Sequence, residues 1–409
     1  MNTTPPKLLT VTYYAPETHH GGAMCVQRLL ADYPRDRLVW MHHAEPVTDP
    51  ASPWSKVRQW SIPLLRRPSR FGLAPLRDVA DWTLHAPRVA RLVAEQSRRA
   101  GVQAVLGIGP GISVRISHQI AQRLGIPLLL WIHDDPAAHA TYRNLPRPLV
   151  QWIRRCFVNA YRSASMRYTI SEPMRDHYHD MTGCDAVVLP PPIEVDSAVS
   201  SHAAHDGPIR IGFAGAITEP EAWLAFLGAL ERLSAKRRFE LTVFADPQTV
   251  PVPSPYRRWV RLEGWRDADT VHNTLQSMDY LYLPLWFRAD RRVHVATSFS
   301  TKFVGYLATG LPVLCHVPTT SAVAEFIGRH PVGPVLDTLD TDTLTDRLRG
   351  VFDDPTWHER AAELRDRALT EFDRDRAVNR LHMDLRTLAF TRTEGRFHAD
   401  PMRTLTAAT

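Results

Sequence analysis

The sequence predicts an α/β protein made of two doubly wound, Rossmann-like domains facing a cleft. Three observations carry this. Apolar strand-like runs alternate with amphipathic helical stretches along most of the chain. The alternation stops once, over residues 190–207, and then restarts. The 409 residues suffice for two domains of about 150–200 residues each.

The elements follow in order. Leu8–Tyr13 reads as a first strand, followed by a loop and a helix from about Ala23 to Asp32. Ala86, Val89, Ala90 and Val93 recur at helical spacing, and Val102–Leu106 returns as a strand. Ile112, Ile116, Ile120 and Leu124 share one face of the next helix. Pro127–Ile132 is almost continuously apolar, as a strand buried on both faces requires. Arg167–Ile170 is a further strand, with Ser171 as N-cap and Pro173 in the first turn of the helix behind it. Residues 190–207, rich in Pro, Ser, Ala and His, read as the linker. Ile209–Ala214 restarts the pattern, and Trp223, Phe226, Leu227, Leu230 and Leu233 form a helical apolar face. Residues 241–245, 260–262 and 280–283 are further strands. Val378, Leu381, Leu385 and Leu388 predict a long helix that returns to the first domain. The expected boundaries are 1–195, with the returning helix at about 376–392, then 207–375, and a frayed tail over 393–409.

Cys25, Cys156, Cys184 and Cys315 lie far apart and form no Cys-x-x-Cys pair, which predicts reduced thiols rather than disulfides or a zinc site. No metal or other cofactor is expected. Met1–Lys7 has no signal-peptide pattern, and the longest apolar run, Ile126–Ile132, is too short to span a bilayer. The expected location is the cytoplasm, including the inner face of a membrane.

The net charge of +6 is unevenly spread. Between Trp54 and Arg99 stand ten Lys and Arg residues (Arg66, Arg67 and Arg70 among them) against Asp78, Asp81 and Glu95, interleaved with Trp60, Phe71 and Trp82. Arginine and tryptophan on one surface suit an anionic membrane. The same composition fits a solvated basic surface over core tryptophans. Nothing resembles a nucleic-acid-binding module, so no nucleic-acid partner is expected.

The richest segment is Ser298–His316. Ser298, Ser300, Thr301 and Lys302 open it, Phe303, Tyr306 and Leu307 form an apolar helical face, Gly310 ends the helix, and Leu311–Leu314 reads as a buried strand. A helix whose first turn is Ser-Thr-Lys directs backbone N–H groups, hydroxyls and a positive charge at one point, which suits a phosphate or diphosphate. A capped helix with a solvated lysine has the same sequence.

This segment resembles the donor-site helix of retaining, family-4-type glycosyltransferases of the GT-B fold, through Thr301, Lys302, Tyr306, Leu307, Ala308, Gly310, Pro312 and Val313. Other segments match that family in the same order, over about residues 8–390. His19-His20-Gly21-Gly22 resembles the glycine loop facing the donor diphosphate, where paired glycines let the backbone approach a ligand. Trp131–Pro136 ends a buried strand with His133 and Asp134, the pair that the resemblance places against the transferred sugar or the acceptor. Tyr168–Glu172 and the Val187–Ile193 segment resemble the close of the first domain, with an architectural role for Ser171. Gly215, Glu263 and Trp265 match strand ends around the nucleotide pocket.

The departures are as informative. The family's Arg and Lys in the loop after the first strand of the second domain correspond here to Ala216 and Glu221, and its two donor-helix glutamates to Thr297 and Gly305. Lys302, with Arg288, Arg291 and Arg292 just upstream, is the replacement charge the sequence offers. Gly107-Ile-Gly109-Pro-Gly111 loosely resembles a dinucleotide fingerprint, but the glycine spacing is wrong and the strand is not the first.

The resemblance implies an enzyme that moves a sugar, with retention, from a nucleotide-diphosphate sugar to a hydroxyl of a glycan or lipid-linked acceptor, in polysaccharide or glycolipid biosynthesis. His133, Asp134 and Lys302 are its expected catalytic residues; Gly21, Gly22, Gly215, Glu263, Trp265, Arg291, Ser300, Thr301 and Lys302 are its expected donor contacts. The alternative is a non-catalytic relative that binds a nucleotide sugar or a partner.

Overall fold

A computed structural model of the protein describes residues 4–16, 21–44, 52–64, 74–194 and 207–393. His19, His20, Arg66, Arg67, Arg70, Phe71, most of the expected linker and the tail beyond Thr393 lie outside the described residues.

The chain runs β1 (Leu8–Val11), α1 (Gly21–Leu29), β2 (Leu38–His42), β3 (Arg58–Ser61), α2 (Ala74–Ala80), α3 (Ala86–Ala100), β4 (Ala104–Ile108) and α4 (Ile112–Leu124). It continues with β5 (Leu128–Ile132), α5 (Pro136–Tyr142), α6 (Arg147–Ser163), β6 (Met166–Thr169), α7 (Glu172–Thr182) and β7 (Val187–Val188). Then come β8 (Ile209–Ala214), α8 (Pro220–Leu233), β9 (Phe239–Phe244), β10 (Val260–Leu262), α9 (Ala268–Gln276) and β11 (Tyr280–Pro284). The remainder is α10 (Arg292–Thr297), α11 (Thr301–Leu307), β12 (Val313–His316), α12 (Ala322–Arg329), α13 (Thr341–Asp353), α14 (Thr356–Leu369) and α15 (Arg374–Thr393).

Two compact units result: Met1–Pro192 with Arg374–Thr409, and Ile193–Asp373. The first holds a seven-stranded parallel sheet in the order β3-β2-β1-β4-β5-β6-β7. Strands β1, β2, β4 and β5 are buried along their whole length, which explains their apolar runs. Helix α4 lies so close to β4 that a Cβ on Gly107 would stand 2.5 Å from Ser117 Oγ. Gly107 is therefore a packing glycine, and the loose dinucleotide pattern around it has a structural origin.

Helix α15 closes the core of this unit. Leu381, Leu385 and Leu388 join Leu8, Leu29 and Trp131 in one buried cluster. The fully buried Asp384 accepts a hydrogen bond from Tyr168 Oη (2.7 Å) and one from Arg380 Nε (2.9 Å) on the same oxygen. Arg374 donates to the Arg28 carbonyl at 3.2 Å and pairs with Asp32 at the end of α1.

The basic stretch differs from the sequence expectation in one respect. Trp54 and Trp82 are core residues: Trp54 packs edge-on against Trp40 (5.3 Å between ring centres) beneath the Arg35 guanidinium, and Trp82 packs against Trp152. These rings are not available for shallow insertion in a membrane. Among the described residues of the stretch, one face of α3 and the turn before it are exposed, with Leu84, Arg88, Arg91, Leu92, Arg98 and Arg99, as are Lys56 and Arg58. Among the described residues no helix is long and apolar enough to cross a membrane.

The second unit holds a five-stranded parallel sheet in the order β10-β9-β8-β11-β12. Trp223, Phe226, Leu227 and Leu230 of α8 pack on Phe213, Leu241, Val243 and Tyr282, and Phe226 stacks on Tyr282 at 3.8 Å between ring centres.

Leu381→Ala leaves a cavity under α15 and is expected to destabilise the chain by about 2–5 kcal/mol. A lowered urea midpoint at unchanged m-value is the expected reading; an unchanged midpoint means that α15 is not part of this core.

Candidate functional site

In a doubly wound sheet, ligands bind at the C-terminal strand ends where the strand order reverses. In the second unit that point lies between β8 and β11. Strand β8 ends at Ala214, and the chain turns through Gly215 at φ +111°. The Lys302 side chain, from the first turn of α11, lies across that turn: a Cβ on Gly215 would stand 2.7 Å from Lys302 Cε. Lys302 Nζ donates to the Ala216 carbonyl (2.8 Å) and sits 4.9 Å from the centre of the Phe213 ring. One turn later, Tyr306 Oη accepts from the Ala214 N–H at 2.8 Å. Two side chains four residues apart thus tie α11 to the end of β8.

Sequence reasoning missed Glu219. It is 3 % exposed, and its carboxylate accepts from the Thr218 N–H (3.1 Å) and hydroxyl (2.8 Å). Burial pushes its carboxyl up, opposed by the positive charge of Lys302 and the Thr218 hydrogen bonds. Burial also pushes the Lys302 ammonium down, opposed by Glu219. Trp286 was missed as well. Its Nε1 donates to the Thr218 carbonyl at 2.9 Å, and Arg291 and His294 pack on its ring. Neither residue lies in a motif, so only their position after β8 and β11 reveals them.

Ser300 is the N-cap of α11, but its hydroxyl makes no capping bond. The departures from the family pattern are accommodated locally. Thr297 Oγ1 donates to the Val293 carbonyl (2.8 Å), and the space a Cβ would enter at Gly305 is open. A buried oxygen of Glu221 has no hydrogen-bond partner among the described residues.

Glu263 follows β10 and pairs with Arg266 at 3.6 Å, while Trp265 beside it is 67 % exposed. Glu263 also lines a cavity of about 300 Å³ with Arg210, Glu240, Arg261, Arg266 and Thr270. None of the residues lining that cavity belongs to the cluster around Lys302.

Beneath the site, Tyr282 and His316 form a buried pair. His316 Nε2 must donate to the Thr338 carbonyl (2.6 Å), which leaves Nδ1 to accept from Tyr282 Oη at 2.9 Å. Burial holds this imidazole at about 4, against an ordinary value of 6.5.

In the first unit the strand order reverses between β1 and β4. Gly21 and Gly22 start α1 behind the loop that follows β1. His133 and Asp134 follow β5, His133 buried edge-on against Trp131 at 4.2 Å between ring centres. The Asp-Asp pair divides its roles. Asp135 caps α5 through the Ala138 N–H (2.5 Å) and accepts from Tyr178 Oη (3.1 Å). Asp134 acts on Tyr14, whose phenol is pushed up to about 12 by burial, with Tyr13, Asp134 and Tyr142 adding to it. The structure thus brings Gly215 and Lys302 together in one unit and His133 and Asp134 together in the other. Glu263 and Trp265 stand apart from Lys302 at the end of β10.

No protein-family model and no curated protein matches the sequence. Solved structures do match the fold. HepE of Anabaena, solved with UDP and glucose, is 14% identical with a TM-score of 0.67, over 93% of this chain and 99% of that one. Sucrose-phosphate synthase of Thermosynechococcus elongatus is 13% identical with a TM-score of 0.67, over 94% and 99%. A Listeria monocytogenes protein assigned as a UDP-N-acetylglucosamine 2-epimerase is 13% identical with a TM-score of 0.55, over 92% and 95%. The chain has the GT-B fold.

Two expectations follow. Gly215→Ala strains a left-handed turn and displaces Lys302, so it should cost about 1–3 kcal/mol, read as a lower urea midpoint. His316 binds a proton in the unfolded chain between pH 6.5 and 4 that the folded chain refuses. Its contribution is complete above pH 6.5 and is lost as pH falls towards 4. His316→Gln should therefore flatten the acid loss of stability over that window; an unchanged slope excludes His316 as a source of it.

Proposed function

We propose that this chain is a glycosyltransferase whose second unit binds a nucleoside-diphosphate sugar and whose first unit takes a hydroxyl acceptor at the end of its sheet. The observation that carries the reading is the lysine held across the glycine turn at the strand-order reversal of the second unit. When the sugar departs, negative charge develops on the leaving diphosphate, and a positioned ammonium stabilises it. Lys302 is that cation, with the backbone N–H groups of the first turn of α11 and the Ser300 and Thr301 hydroxyls as further donors. Arg291 adds charge from above Trp286. The exposed Trp265 ring offers a stacking surface to the base, with Glu263 beside it. Gly21 and Gly22 offer backbone N–H groups, and His133 and Asp134 serve the sugar or the acceptor hydroxyl. HepE, solved with UDP and glucose, supports a nucleotide-sugar ligand for the same fold.

The finer reading is transfer with retention to a glycan or lipid-linked acceptor, in polysaccharide or glycolipid synthesis. The leucine and arginine face of α3 is where an anionic membrane would bear on the first unit.

A second reading, a non-catalytic relative that binds a nucleotide sugar or a partner, is favoured by Ala216, Glu221, Thr297 and Gly305 at the positions of the family's charged residues. Because a protein assigned as an epimerase shares the fold, turnover, not nucleotide binding alone, separates the readings.

The test is the thermal shift of the chain with UDP, GDP, ADP and their sugar conjugates, with NAD as control. One nucleoside diphosphate should raise the melting temperature, and Lys302→Ala should abolish the rise. Turnover lost in His133→Ala and Lys302→Ala decides for the enzyme, and binding without turnover across many acceptors decides for the module. No stabilisation by any nucleoside diphosphate at millimolar concentration overturns the donor-site reading.

A further inference from the structure

The arginines that lead into α10 differ in their surroundings. Arg288 is exposed and bidentate to Asp290, through its Nε (2.9 Å) and Nη2 (3.0 Å), and Arg292 is exposed as well. The Arg291 side chain is only 17 % exposed. Its guanidinium lies over the Trp286 ring, 5.1 Å from the centroid, with Asp290 at 3.9 Å from its Nε. His294, three residues on, packs against the same indole at 5.1 Å, and the Ser298 hydroxyl is 3.3 Å from its Nδ1. A guanidinium withdrawn from water is stabilised by the negative face of an indole and by stacking on it. The other side of the indole is polar: its Nε1 donates to the Thr218 carbonyl at 2.9 Å. Lys302 Nζ donates to the Ala216 carbonyl at 2.8 Å, two residues earlier in the same loop. Two residues of chain span at most about 7 Å, so the indole and the ammonium hold one short stretch of backbone.

We propose, resting on the donor-site reading above, that Trp286 is a positioning residue that holds Arg291 at the loop after β8, where Arg291 joins Lys302 as the second cation of the diphosphate subsite. Contacts in series make the connection. Arg291 lies on the ring, the ring's N–H meets Thr218, and Thr218 stands two residues from the carbonyl that Lys302 takes. Arg291 precedes α10 and Lys302 belongs to the first turn of α11, so the two cations share no helix face. The loop after β8 is the element that both reach, Lys302 directly and Arg291 through the indole. A diphosphate carries charge on both of its phosphoryl groups, which suits two cations supplied from separate elements. The ring type matters for this bridge. A phenyl ring keeps a face for the guanidinium but has no N–H for Thr218.

The test is calorimetry with UDP, GDP and ADP, with uridine, guanosine and adenosine as controls that lack phosphate. Arg291→Ala should weaken binding of the diphosphate about tenfold, the loss of one charge-assisted contact, and leave binding of its nucleoside unchanged. Trp286→Phe should weaken the same diphosphate by acting through Arg291, so the double variant should bind no worse than Arg291→Ala alone. The chain has 11 tryptophans, and the indole N–H resonance of Trp286 is assigned through its loss in Trp286→Phe. In the wild type that resonance should move with the diphosphate and stay in place with the nucleoside. Losses that add in the double variant, an equal loss for the nucleoside, or an indole resonance blind to the diphosphate overturn the proposal. A diphosphate that Arg291→Ala binds as well as the wild type does overturns this inference and leaves the donor-site reading standing. A wild type that binds none of the three diphosphates overturns the donor-site reading, and this inference with it.

Discussion

The second unit depends on one close approach, the Lys302 stem laid on a backbone turn that has no side chain. A Cβ at Gly215 cannot coexist with the lysine in this position, and the turn takes a φ that favours glycine. Because Lys302 and Tyr306 both hold the end of β8, the first turn of α11 is fixed to the sheet edge before any ligand arrives. Donors fixed in advance need little reorganisation when charge develops on a leaving group. The same approach takes Lys302 partly out of water.

Much of the fold was legible because buried parallel strands write themselves as apolar runs. Leu128–Ile132 and Ile209–Ala214 could be read directly, as could the helical faces at Ile112–Leu124 and Trp223–Leu233. Strand β3 left no such mark: Arg-Gln-Trp-Ser is an edge strand, exposed to half-buried, with one neighbour. Strand β2 is fully buried, but its Leu-Val-Trp-Met-His run sits close behind α1 without a strong turn signal. The arginine and tryptophan stretch misled for a related reason. Composition shows that both residue types are present, but not that Trp54 and Trp82 face inward while the arginines of α3 face outward.

The candidate site was legible where chemistry follows a local pattern and hidden where it follows topology. Lys302 and Gly215 stand in recognisable segments 87 positions apart, and only the parallel pairing of β8 with β11 lays one on the other. Glu219 and Trp286 have no motif. They enter the site because the loops after β8 and β11 open at the reversal of strand order, and Trp286 closes on the Thr218 carbonyl. Asp134 and Asp135 make the converse point: adjacent and chemically identical, they are separated by the cap that α5 requires.

The loop after β8 shows how a site can keep its electrostatic logic while its residues change. The resemblance places an arginine and a lysine in this loop and carboxylates on the helix facing it. Here the loop carries Glu219 and leads to Glu221, and the cation comes from α11. A loop of carboxylates would repel a diphosphate if they faced it. Glu219 instead turns inward onto Thr218, with 3 % of its surface exposed. A buried carboxylate is costly unless a nearby cation and hydrogen bonds oppose desolvation, and Lys302 and Thr218 supply both. The Lys302 ammonium, for its part, donates to the Ala216 carbonyl. At the end of β8 the cation therefore comes from the first turn of α11 rather than from the loop itself.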